Sequence, residues 1–227
     1  VDGSRRFTML SVGAGSACGL SVSLYCWGYN GVGQLGDGTI AERSRPVRVA
    51  DTLALASVTL GAGTTTCAFE QGTSLDRLGS SHSAGNGSVL VCWGWNGFGQ
   101  MLDGGGVNPH KPKLLDAGRA LITIATGGHH LCGLDTAGAA WCWGRNDEGQ
   151  LGDSTVANRL APVAVTGAHA FDMLATGIAH SCGRTTAAQV SSWASNGYAN
   201  LLDGTGADTP PTPMQADAGM TFDIIYT

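Results

Sequence analysis

One pattern of about fourteen residues recurs along this 227-residue chain. "CWGYNGVGQLGDGT" begins at Cys26 and returns from Cys92, from Cys142 and, in degenerate form, from Ser192. Its tryptophan recurs at intervals of 66, 50 and 50 residues. Self-similarity at such a period is typical of repeat architectures and argues against a single catalytic motif. The chain must therefore be built from about four similar units.

A second element precedes each copy: a short apolar run, then glycine, then a run through a cysteine. Runs of four to six residues bounded by Gly, Asn and Asp are typical of β-strands, and no helical period is sustained. Each unit is therefore predicted to contain four short strands, as a propeller blade does. We expect one all-β domain over residues 1–227, with repeats at about 7–53, 54–120, 121–170 and 171–221.

These repeats resemble those of the regulator of chromosome condensation family, in which a glycine-histidine element precedes aromatic-Trp-Gly-x-Asn and Gly-Gln-Leu-Gly. Three copies match closely and the fourth loosely. The resemblance implies a β-propeller of four-stranded blades, and family members usually close a ring of seven. About four blades are visible here, so we expect part of a larger ring. Residues 222–227 then either start a further blade or close a four-bladed ring. The first residue, Val1, suggests a processed or truncated product.

The seven cysteines follow the repeats. In three copies one cysteine lies in the strand before the tryptophan strand and another just before the tryptophan, which gives the pairs Cys18/Cys26, Cys67/Cys92 and Cys132/Cys142. Residues opposite each other in a hairpin are close enough for a disulfide. Seven reduced, buried cysteines are the alternative. Pairing in three copies favours disulfides and hence an oxidising compartment, extracellular or at the cell surface.

The fourth copy has serine where the second cysteine would stand. Ser192 takes that position, so Cys182 is expected to be free or bonded to another molecule.

Charge and composition argue against several functions. The net charge is −5 with only 12 Lys and Arg, so a nucleic-acid partner is not expected. No apolar stretch is long enough to insert into a membrane. No nucleophile–base set, metal-ligand spacing or phosphate loop is recognisable, so we expect no enzyme activity, catalytic residue, cofactor or metal. The repeated aspartates are expected to cap turns, and His130 and His180 to be structural, hydrogen-bonded residues.

Aromatic and basic residues at variable positions of the repeat are candidates for contact with a partner. They are Tyr29, Trp95, Phe98, Arg145 and Tyr198. The Ser- and Gly-rich insertion at 72–88 is another candidate, or an excursion without a role.

The leading hypothesis is an exported, non-enzymatic binding or structural surface module whose partner is a protein or neighbouring copies in an assembly. The alternative is an intracellular guanine-nucleotide exchange factor or chromatin-associated regulator, the role that named the family. Paired cysteines, low positive charge and the lack of a basic tail argue against that alternative.

Overall fold

The structure is a computed structural model that describes residues 5–49, 53–70, 89–167, 169–201, 204, 206, 211–216 and 221–225. Within these ranges the chain forms sixteen strands and no helix. The strands make four antiparallel sheets of four strands, each pairing its strands in chain order. The expected all-β fold of four-stranded blades is therefore confirmed.

Each blade has short, regular strands. Blade 1 contains β1 (Met9–Val12), β2 (Ser16–Leu20), β3 (Leu24–Gly28) and β4 (Arg43–Arg48). Blade 2 contains β5 (Thr59–Leu60), β6 (Thr65–Glu70), β7 (Val89–Gly94) and β8 (Lys113–Leu114). Blade 3 contains β9 (Leu121–Thr126), β10 (His130–Asp135), β11 (Ala140–Gly144) and β12 (Arg159–Ala164). Blade 4 contains β13 (Phe171–Thr176), β14 (His180–Thr185), β15 (Val190–Ala194) and β16 (Met214–Gln215).

The hydrophobic core lies between blades, because neighbouring residues on a strand point to opposite faces of the sheet. In blade 3, Cys142 faces blade 4 and the adjacent Trp143 faces blade 2. Cys132, Cys142 and Leu151 accordingly form one buried cluster with Phe171 and Trp193 of blade 4. The same alternation builds the interface between blades 1 and 2 and the interface between blades 2 and 3. We call each interface between neighbouring blades a seam.

A tryptophan hydrogen bond closes each seam. The Trp93 indole N–H donates to the main-chain oxygen of Gln34 in the preceding blade at 2.9 Å. The corresponding bonds, at the next two seams, are Trp143 to Gln100 at 2.8 Å and Trp193 to Gln150 at 2.9 Å. Interior N–H groups need such partners. The register of the repeat therefore fixes how each blade stacks on the one before it.

The structure joins the three cysteine pairs indicated by the spacing. Disulfides connect Cys18 to Cys26, Cys67 to Cys92 and Cys132 to Cys142, each between strands paired directly opposite. Each bond therefore cross-links the two central strands of its own blade, on the face that packs against the next blade.

Blade 4 departs from this plan. Cys182 is free and lies opposite Ser192 in the same register that carries a disulfide in blade 3. Alanines with positive φ, at 61°, 84° and 53°, also occupy turn positions that are glycine in other blades: Ala188, Ala194 and Ala199. An L-residue in this conformation costs about 1–2 kcal/mol. Among the described residues, blade 4 thus lacks the cross-link and has three non-glycine residues at positive φ, against two in blade 2 (Thr64 and Leu102) and one in blade 3 (Ser154).

Replacing Ser192 with cysteine is expected to create a fourth disulfide with Cys182. A ten-residue separation would contribute about 2–3 kcal/mol, less about 1 kcal/mol for the lost hydrogen bond from Ser192 to Leu201. We expect the free thiol to disappear and the free energy of unfolding to rise by about 1–2 kcal/mol, measured by urea denaturation.

Ser191→Cys is the matched control, because residue 191 pairs with Gly183 and points to the opposite face. It should keep two reactive thiols. A Ser192→Cys protein that keeps two thiols after oxidation would contradict the prediction.

Candidate protein-binding face

The loops that follow the third strand of each blade lie at one end of the propeller, beside the turns that join the first two strands. Tyr29 N–H donates to the Gly15 oxygen at 2.8 Å, and Arg145 N–H donates to the His129 oxygen at 2.9 Å. Trp95 and Ser195 make the equivalent bonds in blades 2 and 4. We call this end, residues 29–42, 95–112, 145–158 and the described part of 195–213 with the adjoining turns, the loop face.

A buried asparagine organises each of these loops. In blade 3, the Asn146 amide donates to the Thr155 oxygen at 2.9 Å, the Ala157 oxygen at 3.1 Å and Asp153 Oδ1 at 3.1 Å. Its side-chain oxygen accepts the Leu151 N–H at 2.8 Å. Asn30 and Asn96 make closely similar sets of bonds. One side chain therefore hydrogen-bonds two main-chain oxygens and one main-chain N–H of a loop that contains no strand or helix.

The repeated aspartate completes the loop. Asp153 accepts hydrogen bonds from the Thr155 N–H and hydroxyl at 3.0 and 2.7 Å and from Arg159 Nε at 2.7 Å. Burial by itself would raise the pKa of Asp153, but these bonds outweigh it and the pKa is lowered. Asp37 is bound in the same way by Thr39 and Arg43.

The second copy uses lysine instead of arginine. Lys113 pairs with Asp103 at 2.5 Å, and the pKa of Asp103 falls to about 2 because bonds from Lys113 and Asn96 outweigh its burial. In the part of the chain that the structure describes, no three metal-ligating side chains converge. Asp203 lies outside that part. The repeated aspartates Asp37, Asp103 and Asp153 are each hydrogen-bonded to residues of their own loop.

Three of the five candidate contact residues come together at the seam of blades 2 and 3. The rings of Trp95 and Phe98 lie 5.9 and 5.4 Å from the His129 ring, and the Arg145 guanidinium lies 5.8 Å from the centre of Phe98. Arg145 also pairs with Asp147 at 2.6 Å. We call Trp95, Phe98, His129 and Arg145 the aromatic cluster.

The other two candidates lie elsewhere on the loop face. Tyr29 of blade 1 is 45% exposed, and Tyr198 of blade 4 is 96% exposed. The insertion at 72–88 falls outside the described residues. An open cavity of about 320 Å³ is lined by the first strands of all four blades, including Leu10, Thr59, Ile124 and Leu174. None of the candidate contact residues lines this cavity, so the exposed tyrosines and the aromatic cluster lie on the loop face apart from it.

His129 is a member of the cluster that the sequence did not single out. Its only signal is its place in the turn, where the other blades carry small residues at Gly15, Thr64 and Ala179. The adjacent His130 points the other way and is 1% exposed. Its Nε2 lies 2.8 Å from Ser181 Oγ of blade 4, so the structural role expected for His130 is what the structure shows.

Comparison with known proteins agrees with this architecture. A model of the regulator of chromosome condensation (RCC1) repeat matches residues 23–68 and 137–185, and a second model of that repeat matches 122–150. The chain also superposes on human WBSCR16 with a TM-score of 0.73 at 20% identity, covering 92% of this chain and 52% of that one.

Two further structures share the fold. Prp20p from Saccharomyces cerevisiae matches with a TM-score of 0.73 at 20% identity, covering 96% of this chain and 52% of its own. The ectodomain of the Physcomitrella patens receptor kinase CR4 matches with a TM-score of 0.55 at 21% identity, covering 99% and 46%. This chain thus spans about half the length of these proteins.

None of the described segments forms a helix able to cross a membrane. The repeat models match within the four blades that the structure describes. Residues 23–68 and 122–185 thus carry RCC1 repeats, and the chain has the fold of the RCC1-repeat β-propellers.

Proposed function

We propose that this chain is a non-enzymatic protein-binding module whose loop face contacts the partner. The observation that carries the proposal is the aromatic cluster, which places Trp95, Phe98 and Arg145 together on loops held by buried asparagines. Aromatic and arginine side chains on a rigid support are the residues that dominate protein interfaces. Tyr29 and Tyr198 extend the same surface.

The fold family supports a protein as the class of partner. Yeast RCC1 (Prp20) has been crystallised bound to Kap60, and Prp20p binds Gsp1p and histones. At 20–23% identity these likenesses carry the fold only, so none of those partners is transferred to this chain. The low positive charge supports a protein over a nucleic acid.

Export is the second part of the proposal. Three disulfides, one per blade in blades 1 to 3, are typical of an oxidising compartment. The test is the intact mass of protein from its natural source, alkylated in denaturant with and without prior reduction. We expect one alkylated thiol without reduction and seven after it. Seven without reduction would contradict export.

Binding is tested with two loop-face variants, Phe98→Ala and Tyr198→Ala, and one matched control on the opposite end, Val22→Ala, whose side chain is fully exposed in a β2–β3 turn. Proteins that the immobilised chain captures from the extracellular fraction of its source are then titrated against each variant. We expect at least a tenfold loss of affinity for a loop-face variant, which corresponds to about 1.4 kcal/mol. Val22→Ala should bind normally.

Two results would argue against the proposal. Equal affinities of all three variants would place binding away from the loop face. Accelerated nucleotide release from a small GTPase by this chain would support the exchange-factor alternative instead.

A further inference from the structure

We propose that the seam between blades 3 and 4 opens in acid while blades 1 to 3 stay folded, which makes blade 4 a pH-released element. The inference is independent of the proposed function. It rests on a buried histidine that bridges this seam and on features of blade 4 that weaken it.

His130 at the start of β10 is the bridge. Its Nε2 lies 2.8 Å from Ser181 Oγ of β14, and the Ser181 hydroxyl donates to the main-chain oxygen of Gln150 at 2.9 Å. Because the serine proton is directed to Gln150, the serine oxygen accepts from Nε2–H. His130 Nδ1 is buried without a hydrogen-bond partner, so a proton added there would have no acceptor.

The surroundings of His130 disfavour a positive charge. Burial lowers its pKa most, and the basic groups His180 on β14, the adjacent His129 and Arg145 lower it further, to about 3. These are the charged and titratable groups that act on it, and they come from both blades. No carboxylate among the described residues is part of this set.

The sign of the effect follows from linkage. In the closed seam His130 stays neutral down to about pH 3, whereas an exposed histidine takes up a proton near pH 6.5. The open form therefore binds one more proton between these values, and its population rises by up to tenfold for each pH unit below about 6.5. Acid favours opening.

Blade 4 is the part that this transition releases. Its strand β13 packs against β9 and β10 of blade 3. Blades 1, 2 and 3 each contain a disulfide, and blade 4 does not. The alanines at positive φ, Ala188, Ala194 and Ala199, weaken it further. In repeat proteins a unit with low intrinsic stability is held mainly by its neighbour. Loss of this seam removes the support that blade 3 gives to blade 4.

Cys182 supplies a built-in reporter. It is the one cysteine outside the three disulfides, it lies on β14, and burial raises its pKa to about 11. The experiment follows its labelling by 4,4′-dithiodipyridine, a reagent that reacts in acid, from pH 7.5 to 4. Rates are normalised to the urea-denatured protein at the same pH, and far-UV circular dichroism is recorded in parallel.

We expect the normalised rate to rise about 24-fold between pH 6 and 4.5, with most of the dichroism retained. His130→Gln should remove most of this dependence. His110→Gln, a histidine on a blade 2 loop, is the matched control and should behave like the unmodified protein. Ser181→Ala keeps the titrating histidine but loses its acceptor, so it should label faster at pH 7.5 and still respond to acid.

The Ser181→Ala variant keeps the test decisive if His130→Gln does not fold. The proposal is overturned if His130→Gln keeps the full pH dependence, if Ser181→Ala shows none, or if dichroism falls in step with labelling, which would mean that the whole chain unfolds together.

Discussion

Gly63→Ala is expected to abolish the native state or to destabilise it by about 4 kcal/mol or more. A Cβ at Gly63 would lie 1.1 Å from the main-chain oxygen of Gly128 and 2.2 Å from its carbon. Both atoms belong to the backbone of blade 3, so no flexible side chain can move aside. The nearby Gly61 also packs closely against blade 3, since its Cβ would lie 2.3 Å from the Gly127 oxygen.

The matched control is Gly197→Ala on the loop face. A Cβ at Gly197 meets no atom within 4 Å, so this variant should stay within about 0.5 kcal/mol of the unmodified protein. Both variants are compared by urea denaturation, with loss of a cooperative transition counted as the expected result for Gly63→Ala. Similar unfolding midpoints for the two would show that blades 2 and 3 do not approach as closely as described.

The blades were predictable because their signals are local. Side chains alternate along a strand, and a short hairpin brings its two strands together, so paired cysteines such as Cys132 and Cys142 in successive strands were expected to lie opposite each other. The same alternation puts Trp143 on the other face, where packing between blades follows. Four repetitions of these signals gave the architecture without knowledge of any long-range contact.

The contacts between blades were not predictable in the same way. His130 pairs with Ser181 across 51 residues, and the spacing within one repeat says nothing about which residue of the next blade it meets. For the same reason, the candidate residues Trp95, Phe98 and Arg145 could be named but not grouped, and His129 was missed. Their grouping depends on how two blades stack, which only the three-dimensional structure defines.

The loops of the loop face combine two kinds of residue, and this matters for function. The asparagine and aspartate that hold each loop recur in every repeat, whereas the residues beside them differ. Asn146 and Asp153 are hydrogen-bonded within their loop, while Arg145 and Glu148 beside them are replaced by other residue types in the other repeats. A repeat protein can thus change its binding surface without changing its fold.

The second large effect is expected for Asn146→Ala. Alanine removes five side-chain hydrogen bonds and leaves the buried Leu151 N–H and the oxygens of Thr155 and Ala157 without these partners. An unsatisfied buried polar group costs about 1–3 kcal/mol, and water can reach the exposed Ala157 more easily than Leu151. We therefore expect a loss of about 4 kcal/mol in the free energy of unfolding.

Asn158→Ala tests whether the effect belongs to the buried asparagine or to any asparagine of the loop. Asn158 is exposed and its side chain accepts one bond, from the Asn146 N–H at 2.7 Å, so its loss should cost about 1 kcal/mol. Urea denaturation of the two variants gives both values. Equal losses would mean that Asn146 does not hold the loop, and that the aromatic cluster keeps its rigidity through the cluster's own packing instead.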